Sequence, residues 1–214
     1  MDTEPGRLYD NYVSLGSSCE VAFQFRRVLG ADRSGFFNWN ITPVQSLLSL
    51  LEDFSGILQP ENLQHSDGDL FSDASHGYCF HADFSSPDLY ADGLFEPKLM
   101  NLREKTQHFL HRFRTLSQRG RTAFFYRTNE GPQAHENMMA VRDLLIRYVP
   151  QDRFDLVVAL PATILVGPYN VENVCFRPLA RLAPGDDASD GHVFSWDKIF
   201  SEFPHRDGLR LAGY

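Results

Sequence analysis

Cysteine is scarce in this chain, and positive charge is in deficit. Only Cys19, Cys79 and Cys175 occur in 214 residues. An odd, sparse set is not a disulfide framework and fits a reducing compartment, so a cytoplasmic location is expected. Lys and Arg number 20 against 28 Asp and Glu, a formal net charge of −8. That balance argues against nucleic acid or an anionic membrane as the main partner. Long apolar runs are missing too. The longest, around residues 156–160, is too short to span a bilayer. The first ten residues, MDTEPGRLYD, hold no apolar run, so no signal peptide is expected. There is no G-x-G-x-x-G, no G-x4-G-K-[ST], no H-E-x-x-H and no G-x-S-x-G, so nucleotide chemistry lacks positive support and no cofactor is expected. Without a repeat or linker, residues 1–214 are expected to form a single domain, with 205–214 as a loosely held tail.

What is present is an apolar core in reserve, with 18 Phe among 43% hydrophobic residues. The most patterned stretch is YVSLGSSCEVAFQFRRVLG, residues 12–30. Tyr12, Val13 and Leu15 suit a buried strand, and Gly16 permits a sharp turn. Ser17 followed by Glu20 is the spacing of a capping box. Val21, Phe25, Val28 and Leu29 then recur at helical spacing, and Gly30 suits the stop. With Ser17 as N-cap, Cys19 stands at the second helical position, where free N–H groups and the helix dipole favour a thiolate. The backbone N–H groups of Ser18 and Cys19 are then candidate oxyanion donors. The competing expectation is a cysteine that packs as a small hydrophobe.

Downstream, Pro43 suits the first turn of a helix whose stripe is Leu47, Leu48, Leu50, Leu51 and Phe54. The polar stretch 59–75 is expected to be a long surface loop. GYCFHADF, residues 77–84, alternates: Tyr78, Phe80, Ala82 and Phe84 share one strand face, and Cys79, His81 and Asp83 the other. Helices are expected over 102–116, 133–149 and 196–203, and strands over 122–128, 154–160 and 173–176. Strand and helix alternate from residue 77 onward. The expected fold is therefore α/β, a mixed sheet flanked by helices, with the Cys19 helix following the first strand.

The ordered set SLGSSCEVAFQFRR (14–27), FFNW (36–39), FHADF (80–84), HRF (111–113) and FFYR (124–127) resembles the bacterial DUF1796 family, described as papain-like cysteine peptidases. The resemblance covers most of the chain through about residue 160. It implies a nucleophile at Cys19 and a histidine partner at His81, and it implies an α+β papain-like fold as the alternative to α/β. Two positions depart from the family pattern. Asn38 stands where Phe-Asp-Trp is usual, and Ala82 separates His81 from Asp83.

In a Cys–His pair the imidazole takes the thiol proton and returns it to the leaving group, while a third group orients the ring. Asp83 shares the strand face of His81, but same-face neighbours lie about 6.6–7 Å apart. Asn129, after the next strand, is the alternative orienting group. His76, Cys79 and His81, joined by Cys19, have ligand chemistry, but their H-x2-C-x-H spacing lacks the paired pattern of zinc sites, and no metal is expected. Arg127 interrupts an apolar strand and needs a partner; Glu20 is one candidate, although the capping box is the expected use of Glu20. Arg26 borders the same patterned elements. The helix over 102–116 carries a basic face of Arg103, Lys105, His108, His111, Arg112 and Arg114, more simply a solvated face than an anion site.

The leading expectation is a cysteine hydrolase or acyltransferase acting on a small-molecule or peptide amide, ester or thioester. The alternatives are a binding or accessory module, for instance in surface-carbohydrate biosynthesis, and a transferase that holds an anionic donor.

Overall fold

A computed structural model describes residues 7–31, 34–82 and 95–212. β1 (Asn11–Ser14) leads into α1 (Glu20–Leu29), followed by β2 (Asn40–Ile41) and α2 (Val44–Glu52). Then come β3 (Leu63–Asp67), β4 (Leu70–Asp73) and β5 (Tyr78–His81). The remaining elements are α3 (Phe95–Arg114), β6 (Thr122–Arg127), α4 (Gln133–Leu145), β7 (Phe154–Pro161), β8 (Tyr169–Val171), β9 (Val174–Leu179) and α5 (Val193–Glu202).

The main sheet has the order β1-β6-β7-β9-β8. Its first four strands are parallel, with Val13 beside Phe124, Phe124 beside Leu156, and Leu156 beside Val174. β8 returns antiparallel to β9. Both faces are covered. Phe124, Tyr126, Leu156, Val158 and Phe176 point into a core shared with α2, α3 and α4. Ala123, Phe125, Val157, Ala159 and Cys175 point into a second core under α1 and α5. A strand buried on both faces reads as a continuous apolar run, which is why residues 122–126 and 154–160 show no alternation. The fold is the expected α/β arrangement in a single domain. The parallel ladder departs from the papain-like α+β alternative.

A smaller antiparallel sheet, order β2-β5-β4-β3, is inserted between α1 and α3. Phe71, Tyr78 and Phe80 carry it into the same core as the main sheet. Part of it corrects the sequence reading, because residues 59–75 are not a loop. They hold the β3–β4 hairpin, with Gly68 at φ +56° in its turn. Apart from the half-buried Leu63 and His65, β3 is exposed, and what keeps it extended is pairing with β4 rather than burial. The Asp67-Gly68 pair was the available turn signal. The strand expected over 173–176 runs on to Leu179, and α4 stops at Leu145.

The tail expectation is also corrected. His205 is buried and bridges Tyr9. Arg206 N donates to Tyr9 O (2.8 Å), Arg210 N to Val28 O (2.7 Å) and Ala212 N to Asp197 Oδ2 (2.6 Å). Residues 205–212 therefore strap the α1–α5 layer. Unsatisfied backbone groups would otherwise compete for water, and the strap has partners for them.

One buried ion pair ties the two halves of the main sheet's carboxyl edge together. Glu20 is fully buried in the first turn of α1. Its Oε2 accepts from Arg127 Nε at 2.9 Å and from Ala183 N at 3.0 Å, and its Oε1 accepts from Trp196 Nε1 at 2.9 Å. Three segments thus converge on the carboxylate of a fourth. Gly191 lies so close that a Cβ there would stand 2.8 Å from Glu20 Oε1.

Two stability measurements follow. Glu20→Ala should cost about 3–5 kcal/mol in urea melts, because it leaves a largely buried guanidinium unpaired. The double variant with Arg127→Met should cost less than the two singles summed, by about 0.5–3 kcal/mol. Full additivity would show that the pair is not coupled. Deleting residues 206–214 removes the three strap hydrogen bonds and should cost roughly 2–4 kcal/mol, a fall in Tm of roughly 5–15 °C. An unchanged Tm would show that the strap carries no stability.

Candidate functional site

The turn between β1 and α1 lies at the carboxyl end of the parallel strands, the edge where open α/β sheets hold ligands. Leu15 N donates to Phe125 O at 2.9 Å, continuing the ladder beyond β1. Gly16 then takes φ +76°, and a Cβ at this position would stand 2.6 Å from Phe37 O. Only glycine fits both conditions. Its N–H donates to Ser14 Oγ at 3.2 Å, and its carbonyl accepts from Thr42 N.

The expected capping box is not formed. Ser17 Oγ donates to Arg127 O instead, and the Glu20 carboxylate is taken by Arg127. Ser18 supplies the cap, its Oγ accepting from Glu20 N at 3.1 Å. The physical reason is the half-buried guanidinium of Arg127, which needs a counter-charge more than a helix end needs a second cap. α1 consequently starts later than expected. Cys19 is its N-cap residue, at φ −66° and ψ −11°, with its carbonyl accepting from Phe23 N at 3.0 Å. Among the described residues, the N–H groups of Ser18 and Cys19 have no acceptor in another residue.

Cys19 is half-buried. Burial pushes its thiol pKa up from the ordinary value, the negative charge of Asp69 adds to the rise, and the residue's own N–H opposes it. The direction is opposite to the expected lowering: burial favours the neutral thiol over the thiolate. Burial likewise raises Cys79, and drives Cys175 up to about 12.

His81 is the last residue of β5 and is exposed, with Tyr78 and Phe80 buried on the opposite face, as the alternation predicts. Its Nδ1 is 3.0 Å from Asp69 Oδ1. Asp69 sits in the β3–β4 turn. The pairing of Leu70 with His81, and an Ala82 N to Asp69 O hydrogen bond of 3.0 Å, hold it beside the ring. An ionised carboxylate only accepts, so the contact is one in which Nδ1–H donates to Asp69 Oδ1. Both side chains are largely exposed, at 43% and 67%, so the pair sets geometry and adds little stability.

The residues proposed from sequence to orient His81 fare differently. Asp83 lies outside the described residues. Asn129 is exposed just after β6 and does not hydrogen-bond His81. Asp69 was missed because it stands 12 residues before His81, inside a segment expected to be loop. Only the hairpin register brings the two together.

The remaining candidates are largely tied into the fold. Arg26 lies over the rings of Trp39 (4.9 Å) and Phe23 (5.6 Å). His76 is engaged at both nitrogens, by Ser49 Oγ at 2.9 Å and Ser55 O at 2.8 Å. Among the described residues no group of three or more His, Cys, Asp or Glu could hold a metal ion. On the basic face of α3, Arg103 donates to Leu58 O, Arg112 to Ser34 O, and Arg114 covers the Phe54 ring. Among the described residues no helix is long and apolar enough to cross a membrane.

Comparison with protein-family models, with curated proteins and with solved structures gives no match for this chain.

Proposed function

We propose that this protein is a cysteine-dependent hydrolase or acyltransferase, with Cys19 as nucleophile, His81 as proton shuttle and Asp69 as the group that positions His81. The observation that carries the reading is the Asp69–His81 pair, whose carboxylate charge also acts on the Cys19 thiol. The DUF1796 resemblance, which implies the same cysteine and histidine, supports it independently of Asp69. The free cysteines suit a reducing, cytoplasmic setting.

In this mechanism the resting pair is neutral. As the Cys19 sulfur bonds to the carbonyl carbon of an amide, ester or thioester, its proton passes to His81 Nε2. The carbonyl π electrons move to oxygen, and the N–H groups of Ser18 and Cys19 are the donors available to the oxyanion. Collapse of the intermediate breaks the bond to the leaving group, which takes the proton from Nε2. Water, or another acceptor, then gives a proton to Nε2 as it attacks the thioester carbonyl; the C–S bond breaks, and the departing sulfur takes the proton from Nε2, which restores the Cys19 thiol and the neutral imidazole. Asp69 keeps Nδ1 protonated and stabilises the imidazolium while it exists.

The deciding measurement is trapping of an acyl-enzyme from p-nitrophenyl acetate by intact-mass and peptide mapping. The acyl group is expected on Cys19 and absent in Cys19→Ala. His81→Ala should slow acylation about 10²- to 10⁴-fold with the fold retained. Acyl label spread over all three cysteines, or a wild-type rate in His81→Ala, would leave a binding module as the better description.

A pH measurement tests the electrostatics separately. Iodoacetamide alkylation of Cys19 should have its midpoint above the ordinary thiol value, and Asp69→Asn should lower it, since a charge that holds the proton on is gone. Folding that raises a thiol pKa gives stability that is intact below the unfolded pKa and lost as pH rises through the folded one. Cys19→Ala should therefore flatten part of the alkaline loss of stability. A midpoint below the ordinary value would contradict the buried, Asp69-facing thiol.

A further inference from the structure

β9 outruns its outer neighbour. β8 pairs with it only over residues 174–176, and the strand continues to Leu179. Arg177 and Pro178 of this extension line an open cleft of about 240 Å³. Its other wall is α5, which contributes Ser195, Lys198, Ile199 and Glu202, spaced i, i+3, i+4 and i+7 along one helix face. Ala162, just after β7, and Ala180, just after β9, line it as well. The cleft thus lies at the carboxyl end of the parallel strands, where open α/β sheets hold ligands. Its volume is below the roughly 300–1,000 Å³ of drug-sized sites, so its ligand is small.

The charges in the cleft are unevenly spent. Arg177 is 4% exposed, and its Nε donates to Glu202 Oε2 at 2.7 Å. Nη1 is saturated by Asn170 Oδ1 at 2.7 Å, Phe176 O at 2.9 Å and Tyr169 O at 3.3 Å. Nη2 makes no hydrogen bond among the described residues, and it is not one of the fully enclosed atoms. Lys198 and Glu202 stand four apart on α5, the spacing of a helical ion pair, yet Glu202 turns to Arg177. The exposed Lys198 ammonium is left without an ion pair or hydrogen bond among the described residues. Arg177 and Glu202 cancel, so the cleft carries one positive charge on a chain whose net charge is −8.

That surplus selects the ligand. A single negative charge matches Lys198, whereas a dianion would also meet the Glu202 carboxylate. Ala162, Pro168, Pro178 and Ile199 offer aliphatic surface beside the charges. We propose that the cleft between β9 and α5 is a binding site for a small monocarboxylate with an aliphatic body, its carboxylate held by Lys198 and by Arg177 Nη2. The site makes no use of Cys19 or His81, so it stands or falls apart from the catalytic reading above.

The probes are isobutyrate, its uncharged isostere isobutyramide, and inorganic phosphate, each titrated into the full-length protein and followed by amide chemical shifts. Isobutyrate should saturate with a Kd on the order of 1 mM, as suits so small a ligand, and should move the amides of Ala162, Ala180 and Lys198. Isobutyramide and phosphate should each bind at least fivefold more weakly. Lys198 is exposed, so Lys198→Gln should leave the fold intact, and it should weaken isobutyrate about tenfold. Failure of isobutyrate to saturate, or an unchanged Kd in Lys198→Gln, would overturn the site. Equal binding of isobutyramide or of phosphate would overturn the assignment to a monocarboxylate.

Discussion

The carboxylate of Glu20 is the constraint on which the site's geometry depends. It is buried, it belongs to the first turn of α1, and it gathers Arg127, Ala183 and Trp196 around two oxygens. An ion pair in this position is not a large net source of stability, because two charges lose water to form it. Its value is directional. Arg127 closes β6, and Glu20 opens α1, so the pair sets where the helix begins relative to the strand. The Ser17 hydroxyl on Arg127 O adds a second tie between the same two segments. With both ends held, the Gly16 turn has one path, and Cys19 is delivered to the carboxyl edge of the sheet.

The other half of the candidate site is built by different means. His81 and Asp69 sit on the small antiparallel sheet, and their contact follows from strand register, not from burial. The two sheets share one core through Phe71, Tyr78 and Phe80. The parallel layer thus presents the Cys19 sulfur, and a hairpin with a solvated outer strand presents His81 and Asp69.

The sequence was legible where burial repeats with a period. The parallel strands, α1 and the inward faces of α2 and α3 follow from apolar spacing, and so does the alternation that puts Phe80 inward and His81 outward. It was misleading where side chains had competing uses. Ser17 and Glu20 have capping-box spacing, yet a half-buried Arg127 more than 100 residues away claims both. It was nearly silent for β3, whose polar residues are extended only because β4 lies beside them. Asp69 was hidden for the same reason. The helix-terminus argument for a thiolate overlooked burial and the Asp69 charge, both of which push the Cys19 thiol pKa up.

The Cys19 side chain makes no capping hydrogen bond, because Ser18 already satisfies the helix end. Every polar interaction that shapes the turn belongs to its neighbours: the Gly16 carbonyl, the Ser17 and Ser18 hydroxyls and the Glu20 carboxylate. The frame is thus chemically indifferent to the atom it holds at this position. Architecture and reactivity are separable here. A scaffold of this kind can exchange the side chain at this position for another of similar size and persist as a folded shell, without redesigning the loop that carries it.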